Sequence, residues 1–506
     1  MGTLMERYAD RIAGHIECLD RVIITGTLPG ICYAEGMAKF LRGQGVRIFD
    51  YPQFAKPLKD QIRVNAEQAA KEAGLEIEFI RKRAFRKEDR VRAILEQRGG
   101  HPGLVHVFSV MEPCTAYKPW HDKQTHQTFL KPDSGKCLHY YFYFVDEQLG
   151  LCYLRVPTWC PFRLQFYFNG HAWLASQLDR RGIGYEMLDN AFVAINDWQQ
   201  AQKLADRFDV SKLHRRLDRY AKAYCPVLTT FKECYHWSLM QAEYASDLVF
   251  HRPSDLQPLY ETITRTAIHA VKADQVATFL GRKLHGNYQG ELGNHFHTRI
   301  EGTRIKHHMA GKAAIKMYDK GGRILRIETT VNDVGFFKHY RQVEHRDGST
   351  SFQQAPLQKT IYSLPKLIEL CRDSNRRYLA FISELEDPST GLRHVKKIAE
   401  PVREGGRTQR GFNVLGREDH ELFLTLARGE HNISGLSNHS LRQIMPHKSG
   451  SQMSRLLKRL RAHGLLKKVG RTYKYYLTNL GRTVVLTALK LRDLVVVPAL
   501  AQPATA

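Results

Sequence analysis

Residues 448–478 read KSGSQMSRLLKRLRAHGLLKKVGRTYKYYLT. Met453, Leu456, Leu457 and Leu460 recur there at i, i+3, i+4 and i+7, the period of a helix over residues 449–463 with one buried face. Gly464 is a natural stop for that helix, because glycine takes the left-handed conformation that ends one. Residues 465–469 and 473–477 then read as two short strands turning at Gly470-Arg471. From Lys448 to Lys474 there are nine Lys or Arg and no Asp or Glu. Arg455, Lys458, Arg459 and Arg461 fall on the expected outer face of the helix, and Lys467, Lys468, Arg471 and Lys474 on the hairpin. A basic helix followed by a basic hairpin suits a helix in the major groove of DNA with a wing gripping phosphates.

Upstream, residues 421–428 (ELFLTLAR) and 438–445 (NHSLRQIM) read as two more helices, the second capped by Asn438. Residues 479–494 form a last one. This order, with the phrase "L…HGLL…YYLT..GR", resembles the winged helix-turn-helix of bacterial repressors such as the MarR and ArsR families, over about the last ninety of 506 residues. The resemblance implies a duplex-binding domain, with a homodimer as a candidate assembly. A helical protein-interaction module with a solvated basic face is the alternative.

A net charge of +25 and a pI near 9.6 point to a polyanionic partner, and nucleic acid is the commonest. No run of eighteen apolar residues exists, so no membrane span is expected. The start, MGTLMERYADR, lacks the apolar core of a signal peptide. The nine cysteines are odd in number and widely spaced, with no CxxC. They read as reduced thiols, which together with the plain start makes the cytoplasm the expected location.

The expected fold class is α/β (α+β): a multi-domain body with an antiparallel β meander and a helical insert, followed by the winged helix. Residues 1–136 alternate strand and helix signals, as at RVIIT (residues 21–25), and form the first expected domain, with residues 116–136 as a loop. In residues 137–285 the segments LHYYFYFV, LCYLRV and FRLQFYF read as a meander, followed by helices, one of them over residues 231–248. Arg155, Arg163 and Tyr167 would lie on one face of the meander. That face is either a platform for unpaired bases of DNA or RNA, or a surface covered by the helices. Residues 286–398 hold a hairpin, a loop over 345–357 and a helix. Residues 399–416 are rich in Gly and Arg and read as a linker to a domain over 417–506.

The hairpin joins AAIKMYD (residues 313–319) to RILRIETTV (residues 323–331) through Lys320-Gly321-Gly322. Pairing Met317 with Leu325 and Ile315 with Ile327 puts Lys316, Tyr318, Arg326 and Glu328 on the other face, with Asp319 at the rim. Asp319, Glu328 and a histidine such as His308 form a candidate site for a divalent ion, Mg or Mn. Tyr318 is the candidate nucleophile, with Tyr340 as its alternative on a short helix; Lys316 and Arg326 would stabilise added charge. Arg304 and Lys306 upstream are candidate phosphate contacts. The phrase KMYDK…LRIE is similar to the paired strands "YDK…R.E" of rolling-circle replication initiators, which nick one DNA strand with a tyrosine. His295-Phe296-His297 is similar to the His-hydrophobic-His metal pair of related nickases and transposases. The resemblance implies a metal-dependent DNA endonuclease or strand transferase of mobile-element type. Its rivals are a hairpin held by cross-strand ion pairs within a non-enzymatic transcriptional regulator, and an RNA-binding protein using the aromatic sheet.

Overall fold

The computed structural model describes residues 4–501 except 83, 284–289, 300–301, 387–388, 429–430, 432–434 and 471. The chain is mixed α/β and divides into two compact units, Met1–Glu386 and Asp387–Ala506. No helix among the described residues is long and apolar enough to cross a membrane.

The first unit is built on one eleven-stranded sheet. Its strands are β1 (Ile12–Thr27), β2 (Ile77–Phe79), β3 (Gly103–His121), β4 (Thr128–Asp146), β5 (Gly150–Pro157) and β6 (Leu164–Asn169). After a small separate hairpin, β7 (Tyr185–Met187) and β8 (Phe192–Ile195), come β9 (His236–Phe250), β10 (Leu292–Arg299), β11 (Gly302–Met309), β12 (Ala313–Lys320) and β13 (Ile324–Val331). The order across the sheet is β10-β11-β12-β13-β9-β1-β6-β5-β4-β3-β2. Every pairing is antiparallel except β2 with β3. The stretches expected as separate domains, 1–136, 137–285 and 286–398, all contribute strands to this sheet.

Three sequence expectations give way here. Residues 231–248 carry helix formers such as Ala, Glu, Leu and Met, yet most of them lie in β9, between β1 and β13. Intrinsic propensity is a weak prior, and pairing on both edges with burial of alternate residues outweighs it. Residues 116–136 are no loop: their outer parts extend the β3–β4 ribbon, with Tyr117 buried and donating to Ile31 O at 2.8 Å. Residues 338–357 form a second ribbon, β14 (Lys338–Glu344) with β15 (Thr350–Pro356), so Tyr340 is on a strand and not on a helix.

One face of the large sheet packs under helices Tyr51–Glu72, Val210–Tyr224, Pro253–Ala270 and Leu364–Glu386, around Leu154, Phe166, Leu248, Ile315 and Ile327. The meander's other face is largely covered too. Tyr141, Tyr143 and Tyr153 are buried beside Val91 of helix Lys87–Arg98, so they are no open platform. Arg155 there is bound to Glu112 at 2.8 Å.

Arg326 crosses the middle of the sheet fully buried. Its Nε and Nη2 donate to Asp247 at 2.7 and 2.6 Å, its Nη1 to Asp20 at 3.2 Å, and Nη2 also to Asn190 O at 2.9 Å. Nη2 also lies 3.1 Å from His171 Nε2. Arg326 is thereby corrected from a catalytic candidate to a structural group, since its donors are spent inside the protein. Its side chain ties β13 to β9 and β1.

In the second unit, β16 (Val402–Glu404) and β17 (Arg407–Gln409) replace the expected linker with a short hairpin. Helices follow at Arg417–Leu426, Asn438–Ile444 and Gly450–Ala462, then β18 (Leu466–Lys468), β19 (Tyr475–Leu477) and helix Asn479–Lys490. The expected i, i+3, i+4, i+7 stripe is its core: Met453, Leu457 and Leu460 are buried with Leu422, Phe423, Leu441 and Val485. Ser449 caps the third helix in a reciprocal box with Gln452, Ser437 rather than Asn438 caps the second, and Gly464 at φ 74° closes the third.

Replacing Arg326 with Ala leaves Asp20 and Asp247 as buried carboxylates facing each other's charge. The expected cost is about 3–5 kcal/mol, read as a lower urea midpoint for the first unit's transition.

Candidate functional site

The hairpin of β12 and β13 has a three-residue turn over residues 321–323, and its register is Lys316 opposite Glu328, Met317 opposite Ile327 and Tyr318 opposite Arg326. This differs from the expected register by two residues, an even shift that leaves every side chain on its expected face. Ile315, Met317 and Asp319 face the core side; Lys316, Tyr318, Arg326 and Glu328 face the other.

The neighbouring strands complete this polar face. On β9, Glu243 lies opposite Thr330 and Asp247 opposite Arg326. On β1 the pairing slips between Leu19 and Val22, and Asp20 sits in that bulge. A bulge adds a residue and re-aims the chain locally, which turns Asp20 toward the same face. Carboxylate oxygens of Asp20, Glu243 and Glu328 lie within 4.8 Å of one another. Tyr318 Oη donates to Glu328 Oε2 at 2.8 Å, and Lys316 Nζ lies 2.5 Å from Glu328 Oε1 and 3.0 Å from Glu243 Oε1. Thr330 Oγ1 is 3.2 and 3.3 Å from the same two oxygens. Asn169 and Asn190 donate to Asp20 Oδ1 at 2.6 and 2.7 Å.

Burial and charge set the protonation of these groups. Burial and the neighbouring Glu328 push the Glu243 carboxyl above its ordinary range. Burial alone would lower Lys316, but Glu328 and Glu243 outweigh it and hold the ammonium charged. Burial raises the Tyr318 phenol, and the Glu328 charge raises it further, so the hydroxyl keeps its proton in the resting site. Asp247 is held at about 2, burial being outweighed by Arg326 and His171. Asp20, Glu243, Asp247 and Glu328 therefore face Lys316 and Arg326, and the His171 imidazole, 3.5 and 3.6 Å from Asp20 and Asp247, is itself pushed up against burial by Cys18 and the two aspartates.

An oxygen-only donor set of three carboxylates suits a hard divalent ion such as Mg or Mn, bound through carboxylate oxygens at about 2.0–2.6 Å. Asp20, Glu243 and Glu328 are the residues that could hold it. The Lys316 ammonium now lies against two of them, so metal binding would require it to move aside.

The expected metal set is corrected in two of its three members. Asp319 points to the core face and cannot share an ion with Glu328; its Oδ1 is buried without a hydrogen-bond partner. His308 is two strands away from β13, on β11, stacked on His295 at 4.7 Å, and is not one of the converging ligands. His295 and His297 do lie in one strand, β10, with Lys306 opposite His295 and Arg304 opposite His297. Arg304 and Lys306 are half-buried on the polar side of β11. Asp20 and Glu243 were missed. The alternation Glu243, Ala245, Asp247 against Tyr244, Ser246, Leu248 was a readable strand signal, masked by the helix formers around it.

In the second unit Arg455, Arg461, Lys467, Lys468 and Lys474 are exposed and Lys458 is half-buried; Arg461 also meets Glu404 at 3.3 Å. Arg471 lies outside the described residues. Arg459 is corrected: it is buried, bound to Asp419 at 2.8 and 2.9 Å, donates to Arg410 O and Gly411 O, and lies 3.8 Å over the Phe412 ring. It is a clamp of this unit and not a contact on its surface.

Comparison with family models, curated proteins and solved structures finds no match for the chain.

Burial raises the Asp319 carboxyl from 3.8 to about 6. The native state therefore binds a proton that the unfolded chain releases, and stability falls as pH rises across that interval. Asp319→Asn is expected to stabilise the protein by about 1–2 kcal/mol near neutral pH, after a discount for solvent screening. Urea titrations should find that gain vanishing below about pH 4, where both states are protonated.

Proposed function

We propose that the chain is a DNA-processing protein of mobile-element type, in the manner of a replication initiator or transposase, that cuts one DNA strand with Tyr318. The observation that carries this reading is the Tyr318 hydroxyl 2.8 Å from Glu328, beside three carboxylate groups converging within 4.8 Å. A nucleophile within hydrogen-bond reach of a base is the arrangement that activates a hydroxyl. A divalent ion at the three carboxylates would supply positive charge to the phosphate oxygens. Tyr318 Oη attacks phosphorus and passes its proton to Glu328. The phosphorus–oxygen bond to one deoxyribose breaks, and that oxygen leaves with a proton from water, so the other DNA end stays esterified to the protein. Lys316, displaced from between Glu243 and Glu328, stabilises charge on the phosphate.

The second unit is read as a winged helix-turn-helix that holds duplex DNA. Among the described residues from Arg417 on, the order of three helices, hairpin and helix supports this, as do Arg455, Lys458, Lys467, Lys468 and Lys474 on the third helix and hairpin. One observation favours a second reading, the non-enzymatic regulator: Lys316 bridges Glu243 and Glu328 as a structural ion pair.

Incubation with labelled single- and double-stranded DNA, with Mg²⁺ or Mn²⁺ and with chelator, separates the two. A metal-dependent covalent protein–DNA adduct is expected, absent in Tyr318→Phe and reduced about 10²–10³-fold in Glu328→Gln, with DNA affinity preserved. If the parent protein cuts no strand with either metal, the regulator reading takes its place.

For the second unit, Arg455→Ala should reduce the slope of log affinity against log salt for duplex DNA by about 0.9. Arg459→Ala should instead lower the thermal midpoint of that unit, because it strands Asp419. A salt slope near zero in the parent protein would defeat the duplex-binding assignment.

A further inference from the structure

The ribbon of β14 and β15 pairs only with itself. Its register sets Tyr340 opposite Gln354 and Gln342 opposite Phe352, with Lys338 opposite Pro356, so Lys338, Tyr340, Phe352 and Gln354 share one face. On that face Tyr340 is 67% and Phe352 72% exposed. Their rings are stacked, with centroids 6.1 Å apart and planes 21° from parallel. At the foot of the same face, Lys338 and Gln354 line a cavity of about 730 Å³ together with Arg282, Lys283, Lys312 and Phe336. Four of these are cations, and no carboxylate lines the cavity among the described residues. Lys312 meets Asp333 at 3.8 Å, an acid it shares with Lys359 at 3.4 Å, and Glu291 adjoins the lining residue Gly290 in the chain. Arg282 is fixed 4.7 Å over the Phe336 ring.

A cationic cavity calls for an anion, and two bare stacked rings on a solvated ribbon call for a flat apolar face. An unpaired polynucleotide offers both at a regular spacing, whereas a duplex hides its base faces and a free phosphate has none. We propose that the cavity and the ribbon form a subsite for a single polynucleotide strand. Its phosphates lie among Arg282, Lys283, Lys312 and Lys338, and its bases stack on Tyr340 and Phe352. The subsite rests on the nucleic-acid reading above, though not on its chemistry. Lys312 precedes β12 by one residue, and Lys316 lies four residues on, roughly 13 Å along an extended strand. A polynucleotide in the cavity is thus within a few nucleotides of the carboxylates.

The test is fluorescence anisotropy of the full chain with labelled oligo-dT, oligo-U of the same length, and a duplex, in chelator so that nothing is cut. Tyr340→Ala with Phe352→Ala is expected to weaken oligo-dT binding about 5–150-fold while duplex affinity holds. Tyr340→Trp with Phe352→Trp should retain the affinity, which a merely structural role for the two rings does not require. Lys312→Gln with Lys338→Gln should reduce the single-strand salt slope by about 1.4, two contacts at roughly 0.7 each. Equal losses for oligo-dT and oligo-U place recognition in phosphate and base faces; a loss for one alone shows that the subsite also reads the sugar or the thymine methyl group. Unchanged single-strand affinity in the alanine pair, or a parent protein that binds neither oligonucleotide, overturns the proposal. A parent protein that binds oligo-dT through these residues yet never cuts DNA removes the catalytic reading and leaves the subsite standing. Normal cutting with unaltered binding by the alanine pair does the reverse.

Discussion

A guanidinium with no access to water has to be answered from within the protein, and the answer given to Arg326 organises the first unit. Its partners come from β1, β9, helix Gly170–Asp179 and the turn between β7 and β8. The ion group is worth little as net stabilisation, because desolvating two carboxylates and an arginine offsets most of the attraction. Its effect is on specificity. Any other register of β13 against β9 would leave Arg326 or Asp247 buried without its partner, at a cost that apolar strands could not impose. The same register sets Glu328 and Thr330 beside Glu243, so the carboxylate cluster inherits its geometry from a group that takes no part in it.

Charge alone did not tell surface from interior. Arg326 and Arg459 both looked like working cations in the sequence, and both are buried clamps, each bound to a carboxylate far away in the chain, Asp247 and Asp419. Nothing local marks such a residue, because the partner that decides its role is set by tertiary pairing. Lys316, Tyr318 and Glu328 were legible, since a hairpin with a short turn fixes its own faces and a register error of two leaves them unchanged. Asp319 was misplaced by one position in that alternation, and one position is the whole difference between the two faces. Asp20 and Glu243 went unread for separate reasons. A β-bulge has no reliable sequence signature, and Glu243 sits among residues that favour a helix in isolation.

The second unit was easier to read. Its helices carry amphipathic stripes of ordinary period, and its caps and Gly464 mark the ends. Local signals suffice where contacts are short in sequence. In the first unit β1 pairs with β6 and with β9, so the information lies in residues more than a hundred positions apart. Propensity summed over a short window cannot supply that.

Asp20, Glu243 and Glu328 are far apart in the chain, and the sheet order gives that separation a meaning during synthesis. A ribosome adding about 5–20 residues per second delivers Glu328 some tens of seconds after Asp20. Until then β9 lacks its outer neighbour, β1 carries an acid with no arginine to answer it, and Tyr318 has no carboxylate to donate to. A nascent or truncated chain lacking β13 therefore holds an incomplete cluster. Whatever the cluster does to its ligand is withheld from fragments and reserved for a chain that has closed its sheet.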